Sequence, residues 1–223
     1  NISEKNAKVE TINVNKYSSM GEAYNAFKLG NIDILTTENI NIEDNIGTIG
    51  YNKKEFYGRE HDFIALNTYD NFLSRWEVRK AISYAIDKSS IVTSVYGGKY
   101  YTADNPLDYG NWTFDQGSSS TGYNPDQAKQ VLIDGGWSYK YGSWQKVENY
   151  RTIRLSINLT VNADNSSQVA VADIIKSSLE NIGIKVNVAK LNSKNFQTAL
   201  NNRNYGMIIT GTNSSLSPSL VTY

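Results

Sequence analysis

The sequence predicts an α/β protein whose last third forms a parallel sheet, and three observations support this. Residues 152–211 alternate strand-like and helix-like segments in the order βαβαβ, joined by short turns. Helical periodicity is strong in residues 74–96, and a strand-helix-strand pattern near the start is echoed near the end. Successive βαβ units imply parallel strands with right-handed crossovers, and such sheets bind ligands off the carboxyl ends of their strands.

The first third begins with a predicted β-α-β unit. An alternating apolar and polar pattern indicates the first strand, and Ser18 or Ser19 then caps a helix that ends near Gly30. A buried strand follows, and two further short strands are predicted before and after a charged loop. The four predicted strands are residues 8–14, 32–35, 47–51 and 62–67.

The middle third begins with two predicted helices. Ser74 is expected to cap the first, which ends near Asp87, and the second runs over residues 90–96 to the pair Gly97-Gly98. The apolar positions of the first helix have i, i+3, i+4 spacing: Val78, Ala81, Ile82, Ala85 and Ile86.

A long irregular stretch follows these helices. Residues 99–121 are rich in Tyr, Gly, Ser, Asp and Asn and have no period, so the stretch either wraps a surface or lines a site. Asn124, with Pro125 at the first helical position, then starts a helix that Gly135-Gly136 terminates. Residues 137–144 are predicted to form an aromatic hairpin that packs on its own domain.

The last third is the most regular part of the chain. A long helix starting at Asp164 or Ser166 and stopping at Gly183 is predicted, followed by a short helix over residues 193–201. The predicted strands are residues 152–161, 184–191 and 207–211.

The internal echo relates residues 13–37 to residues 187–211. Both segments follow the order strand, Ser-capped helix, polar turn, strand. The echo is either the coincidence of a common unit or the mark of two similar α/β halves. Two such halves would suit a two-lobed binder with a cleft between them.

Composition excludes several function classes. The 223 residues contain 22 Lys+Arg, 22 Asp+Glu, one His and no Cys. Zero net charge gives no field to hold nucleic acid, and the absence of cysteine excludes disulfides, thiolate metal sites and a Cys nucleophile. The sequence has no membrane-spanning apolar run. Because it begins at Asn1 and stops at Tyr223, we expect it to be a piece of a longer protein.

No catalytic constellation stands out, so the sequence predicts a protein that is not an enzyme. The helix carboxylates are isolated, and His61 is interpreted as a surface or turn histidine. Exposed Tyr and Trp beside Asn and Ser instead suit a pocket for a partly apolar, hydrogen-bonding molecule. The end of the last strand, residues 210–215, carries neutral donors and acceptors where a site is expected.

One segment is similar to a known family. Residues 78–88, VRKAISYAIDK, followed by Ile91-Val92, resemble the VRxAISYAIDRxxIV segment of the family 5 extracellular solute-binding proteins. These are the peptide- and nickel-type receptors of ABC importers. Further resembling segments occur at residues 26–34, 123–137, 179–186 and 205–211.

The resemblance implies a periplasmic-binding-protein type II-like fold, with two α/β lobes joined by crossing strands and only partly present here. Residues 1–66 would end the first lobe, and residues 67–223 would form most of the second, incomplete at the C-terminus. The implied ligand-binding residues are Asn67 and Tyr69 at the crossing, and Thr210, Thr212, Asn213 and Ser215 in the cleft.

The sequence departs from the family pattern at the end of the last strand. Peptide receptors read GWxxD there, with the Trp lining the cleft and the acidic residue pairing with the peptide amino group. Here those positions are Thr212 and Ser215. The anchor for an amino group is therefore missing from its usual place.

The function implied is the substrate-binding component of an ABC importer, which captures a peptide or similar polar solute and delivers it to a membrane permease. A peptide- or pheromone-sensing receptor without an import role is the alternative, and a hydrolase is a distant third. No cofactor and no metal are expected, because one His cannot supply the imidazole set that nickel usually needs. The resemblance further implies a monomer at the cell surface as a lipoprotein, or in the periplasm, exported by an N-terminal segment outside this chain.

Overall fold

The computed structural model describes residues 9–37, 41–55, 58, 60–103 and 122–213. The chain divides into two compact units, Asn1–Phe56 and Tyr57–Tyr223. The strand predicted at 62–67 therefore belongs to the second unit, because it pairs there with the last strand. The assignment of residues 1–66 and 67–223 to two lobes of a larger protein stays a prediction.

The first unit contains two helices in its described part, α1 (Met20–Lys28) and α2 (Glu43–Ile46). Ser19 caps α1 by accepting a hydrogen bond from the Glu22 N–H, as predicted. The strands predicted at 8–14, 32–35 and 47–51 do not form at their described positions. Their apolar side chains are largely exposed, Ile12 at 80% and Val14 at 90%. A strand needs a pairing partner, and none lies beside these segments in the described part of the unit.

The second unit contains twelve elements in its described part. Its helices are α3 (Trp76–Ala85), α4 (Lys88–Tyr96), α5 (Pro125–Asp134), α6 (Ser166–Asn181) and α7 (Ser193–Asn201). Its strands are β1 (Glu60–Leu66), β2 (Ser138–Lys140), β3 (Ser143–Glu148), β4 (Arg151–Arg154), β5 (Ser156–Asn162), β6 (Lys185–Leu191) and β7 (Met207–Asn213).

Four strands form the main sheet in the order β1-β7-β5-β6. β5 pairs in parallel with both β6 and β7, which confirms the parallel sheet predicted from the βαβαβ pattern. β1 is antiparallel to β7, so that Glu60 pairs with Asn213 and Leu66 with Met207. The start of β1 therefore lies at the same edge of the sheet as the carboxyl ends of the parallel strands.

The two crossover helices cover opposite faces of this sheet. The chain moves from β5 to its neighbour β6 through α6, then returns past β5 to β7 through α7. Right-handed crossovers in opposite directions place α6 and α7 on opposite faces. The core on the α6 side contains Ile157, Leu159, Val161, Ala172, Ile175, Leu179 and Met207.

A smaller sheet, β2-β3-β4, packs on the core of the same unit. Tyr141 and Gly142 both have positive φ in its first turn, as a tight hairpin requires. The rings of Trp137 and Trp144 are buried, and the Trp144 Nε1 donates to the Ile182 carbonyl at 2.7 Å. The prediction of an aromatic hairpin packed on its own domain is confirmed.

Two local predictions need correction. Arg75, and not Ser74, is the N-cap of α3, because the Ser74 hydroxyl donates to the Asn71 carbonyl in the preceding turn. The strand predicted at 152–161 is two strands, β4 and β5. They separate at Leu155, where the chain passes from the small sheet to the large one. Most of the irregular stretch, residues 104–121, lies outside the described residues.

Candidate ligand-binding site

The candidate site lies at the sheet edge where β7 ends and β1 begins. Thr210 and Thr212 are partly buried, and they lie directly opposite Phe63 and His61 on β1. Residues opposite each other in a pair of strands share a face of the sheet, so these four side chains lie on one face. This face offers two hydroxyl groups beside two rings, whose centroids are 6.0 Å apart.

The structure brings together some of the predicted site residues. Thr210 and Thr212 lie two positions apart on one strand and therefore share a face. Asn213 continues β7 and pairs with Glu60. Ser215 lies outside the described residues.

Asn67 and Tyr69 lie at the opposite edge of the sheet. Six positions separate Asn67 from His61, the partner of Thr212, which corresponds to about 20 Å along a strand. The Asn67 Nδ2 donates to the carbonyls of Arg203 at 3.3 Å and Tyr205 at 3.0 Å. Tyr69 is 86% exposed. The structure does not place these two residues with Thr210 and Thr212, and their contact with a ligand stays a prediction.

On the other face of the sheet, Asp62 forms a polar group that the sequence did not reveal. Asp62 lies directly opposite Gly211, and a Cβ at position 211 would overlap the Asp62 carboxylate. The Tyr96 hydroxyl, at the end of α4, forms a hydrogen bond with this carboxylate. The Tyr96 ring lies 4.5 Å, between centroids, from that of Tyr100.

Burial shifts the titration of three residues in this region. Burial raises the pKa of Asp62, and the hydrogen bond from Tyr96 partly opposes that rise. Burial, together with the nearby Asp62 charge, raises the pKa of Tyr96 to about 12. Burial lowers the pKa of His61, which the charge of Asp62 partly opposes. His61 is therefore predominantly neutral near pH 7, so it does not supply a full positive charge beside the Asp62 carboxylate.

A second polar group lies where β5 and β6 end. The carboxylate of Asp164 accepts from the Ser193 N–H at 2.8 Å and from the Ser193 hydroxyl at 2.6 Å. These bonds lower the pKa of Asp164. The Ser193 hydroxyl also lies 3.3 Å from the Asn162 Oδ1. These hydrogen bonds connect the start of α6 to the start of α7, and the polar atoms of the group bond one another.

Among the residues that the structure describes, no group of three or more His, Asp or Glu side chains converges as metal ligands would. Within the same residues, no helix combines the length and the apolar character needed to cross a bilayer.

The fold and the site define an α/β binding protein, with polar groups held at the carboxyl edge of a parallel sheet. A family model confirms this class: "Bacterial extracellular solute-binding proteins, family 5 Middle" matches residues 3–222. The chain therefore belongs to this family, and its fold is part of the type II periplasmic-binding-protein fold.

Two curated relatives illustrate the range of the family. Heme-binding protein A of Haemophilus influenzae is 29% identical over 127 residues, 56% of this chain and 21% of that protein. Oligopeptide-binding protein AppA of Bacillus subtilis is 28% identical over 127 residues, 56% of this chain and 23% of AppA. The chain thus spans little more than a fifth of the length of either relative. Both names describe binding proteins, one for heme and one for oligopeptides.

Solved structures show the same fold. The structure of AppA in complex with a nonapeptide matches with a TM-score of 0.69 and 21% identity, over 89% of this chain and 40% of AppA. NikZ from Campylobacter jejuni, in complex with Ni(L-His), matches with a TM-score of 0.69 and 24% identity, over 88% of this chain and 38% of NikZ.

Proposed function

We propose that this chain is part of the substrate-binding component of an ABC importer, and that it captures a peptide or a similar polar solute. The observation that carries the proposal is the pair of Thr210 and Thr212 beside Phe63, at the carboxyl edge of β7. Hydroxyl groups next to a ring suit the alternating polar and apolar groups of a peptide. Membership of the family and the likeness to AppA support this choice of solute.

The proposed mechanism is a hinge equilibrium. In the whole protein, two lobes would close over the solute, and contacts with both lobes would favour the closed form. The closed form would then deliver the solute to a membrane permease. The proposal places the protein outside the cytoplasm, as a monomer, either in the periplasm or as a surface lipoprotein.

A binding screen on the protein as its gene encodes it tests the proposal. We expect peptides of two to six residues to raise the melting temperature, because a ligand that binds only the folded form stabilises it. The panel includes neutral sugars and nickel-histidine as competing solutes. Shifts with a sugar or with nickel-histidine, and with none of the peptides, would contradict the proposed substrate.

Variants of one strand residue connect the binding to the site. Thr212→Val removes a hydroxyl while keeping the size of the side chain, so we expect peptide affinity to fall by about 3- to 10-fold, the value of one hydrogen bond. Thr198→Val on α7 is the matched control, since the Thr198 hydroxyl is exposed and bonds the carbonyl of Lys194 in its own helix. Equal affinities for both variants would place the site elsewhere.

A further inference from the structure

We propose that the outer face of the small sheet docks on the headgroup layer of an anionic lipid bilayer. The outer face is the side of β2-β3-β4 that points away from the core, together with the turns at Tyr141 and Tyr150. The inference goes beyond the proposed function, because it concerns the surface on which the protein is held and not the solute that it captures.

The register of the small sheet separates its two faces. Trp144 and Lys146 point to the core, since the Trp144 ring is buried and the Lys146 Nζ lies 3.7 Å from a buried carboxylate of α3. The alternate residues of β3 therefore lie on the outer face, and their partners across the sheet include Lys140 and Arg154. Within this sheet, which the structure describes in full, the outer face carries these two exposed cations, the exposed Val147 and neutral polar side chains, but no carboxylate.

The two cations of the outer face have no ion-pair partner among the described residues. Glu148 is the one carboxylate of the small sheet, and it faces the core, with Arg75 at 2.8 Å and Lys146 at 3.5 Å. The outer face is therefore positively charged, within a chain whose total charge is zero. Lys140 and Arg154 lack a counter-charge that anionic headgroups would supply.

Each turn of the small sheet holds an exposed tyrosine in a left-handed backbone conformation. Tyr141 has a φ of 51° and is 96% exposed, and Tyr150 has a φ of 63° and is fully exposed. Two-residue hairpin turns favour Asn and Gly at such positions, and a bulky residue with positive φ is strained. Because neither ring is buried, packing of the unit does not explain the choice of tyrosine. Tyrosine is enriched at membrane-water interfaces, where its ring and its hydroxyl meet different surroundings.

The extent of this surface favours a bilayer over a small anion. β3 separates the two turns, and its six residues span about 20 Å. A headgroup layer is broad enough to contact both turns and the cations between them, whereas a single small anion would contact only one of these features. Binding at a bilayer surface combines partly apolar side chains with the attraction of Lys and Arg to anionic lipids.

The docking face lies away from the candidate ligand-binding site. β4 leads through Leu155 into the amino end of β5, whereas Thr210 and Thr212 lie at the carboxyl end of β7, which is parallel to β5. The seven residues of β5 span about 20 Å. A protein held by the outer face would keep its ligand-binding edge free, so docking and solute capture can be measured separately.

Vesicle co-sedimentation tests this inference, with the protein as its gene encodes it but produced without attached lipid. One set of vesicles is phosphatidylcholine alone, and the other contains phosphatidylcholine and phosphatidylglycerol in equal parts. We expect the protein to bind the anionic vesicles and not the neutral ones. Raising the salt from about 0.1 M to about 1 M should release it, because the Debye length falls from about 10 Å to about 3 Å.

A double variant connects the binding to the outer face. We expect Lys140→Gln/Arg154→Gln to bind anionic vesicles about tenfold or more weakly, because it removes two cations from the docking face. Lys129→Gln/Lys176→Gln is the matched control, since each of these partly exposed lysines is paired with a carboxylate of its own helix. The control removes the same charge elsewhere in the unit and should bind the vesicles nearly as tightly as the native protein.

Two further variants test the turns without weakening the fold. Asn tolerates positive φ better than Tyr, so we expect Tyr141→Asn and Tyr150→Asn to keep or raise the melting temperature. We expect both to lose part of their binding to anionic vesicles, because an interfacial ring has been removed. These variants also decide the result if the charge variant fails to fold.

The outcomes separate this inference from the proposed function. Equal binding of the native protein to neutral and anionic vesicles would overturn the inference. So would equal affinities of the two double variants, unchanged binding by both tyrosine variants, or binding to soluble poly-glutamate in place of the anionic vesicles. Peptide binding is measured on the same proteins, and its absence from the native protein would overturn the proposed function while leaving this inference standing.

Discussion

Asn67 shows how one side chain can fix the end of a strand. Its Nδ2 donates to the carbonyls of Arg203 and Tyr205, and its Oδ1 accepts from the Tyr69 N–H at 3.1 Å. Its own N–H donates to the Gly206 carbonyl at 2.8 Å. Asn67 therefore ties the end of β1 to the turn that precedes β7. These bonds occupy the amide that the family resemblance assigns to a ligand.

We expect Asn67→Ala to lower the free energy of unfolding of the second unit by about 1–3 kcal/mol, because it leaves the two carbonyls without their donor. Tyr69→Ala is the control, since its side chain is exposed and should change stability little. Urea denaturation followed by tryptophan fluorescence measures both. Unchanged stability of Asn67→Ala together with weaker peptide binding would instead support the ligand role.

A site residue can be predicted from the sequence when the pattern that marks it lies within a few neighbouring positions. It cannot be predicted in this way when its role depends on contacts between distant segments. Thr210 and Thr212 follow from one local fact, their place at the carboxyl end of a predicted strand. Asp62 was within a predicted strand, but no local pattern pairs it with Gly211 or brings the Tyr96 hydroxyl to it. Those contacts depend on the antiparallel pairing of β1 with β7, which is a property of the sheet.

At the scale of elements, the helix stop after α6 depends on one glycine. Gly183 has a φ of +87°, and a Cβ at this position would overlap the Tyr139 ring. Tyr139 in turn lies against Trp144, with ring centroids 5.3 Å apart. The end of α6 therefore packs against the small sheet at Gly183, where the absence of a side chain leaves room for the Tyr139 ring.

We expect Gly183→Ala to destabilise the second unit by about 1–2 kcal/mol for the left-handed backbone and by about 1–3 kcal/mol more for crowding against Tyr139. Gly98→Ala is the matched control, because Gly98 also has positive φ, at +74°, but no atom lies within 4 Å of its Cβ position. Thermal unfolding of both variants measures the difference. Equal losses would mean that Tyr139 moves aside without cost.

Elements with local start and stop signals were predicted well. Asn124 caps α5, as predicted, by accepting from the Gln127 N–H. α6 begins at Ser166, one of the two predicted starts, but its N-cap is Asn165, which was not predicted. Strands are harder to predict. Alternating apolar and polar residues indicate that one side of a segment could be buried, but they do not say which other strand would pair with it. The 207–211 strand has two partners and forms, whereas the segment at 9–14 has none among the described residues and forms no strand.

At the scale of the whole molecule, the two units differ in how their backbone is hydrogen-bonded. Residues 9–16 and 32–37 of the first unit lie in no helix or strand. The second unit has β7 and β5 at the centre of a four-stranded sheet, with Leu159, Met207 and Ile208 fully buried. Local stability should therefore be uneven along the chain.

We expect hydrogen exchange of the 223-residue chain to be fast over residues 9–16 and 32–37 and slowest in β5 and β7. Exchange requires opening of hydrogen-bonded backbone, and the central strands open only when the sheet does. Mass spectrometry of peptic fragments measures both regions in one experiment, with α1 as the internal reference. Slow exchange at residues 9–16 would mean that this segment is paired after all.

The pairing of β1 with β7 also sets the order in which the chain can assemble. Asn67 follows β1 and Arg203 precedes β7, and the hydrogen bond between them joins residues that are 136 positions apart in the sequence. During synthesis, β1 leaves the ribosome before β7 has been made. In the part of the chain that the structure describes, five helices are synthesised between them, and β1 remains unpaired with β7 during that time. Pairings over such a distance form slowly, since the intervening chain must be ordered first. The end of the sheet where we place the ligand can therefore form only after the helices described between β1 and β7 have been synthesised.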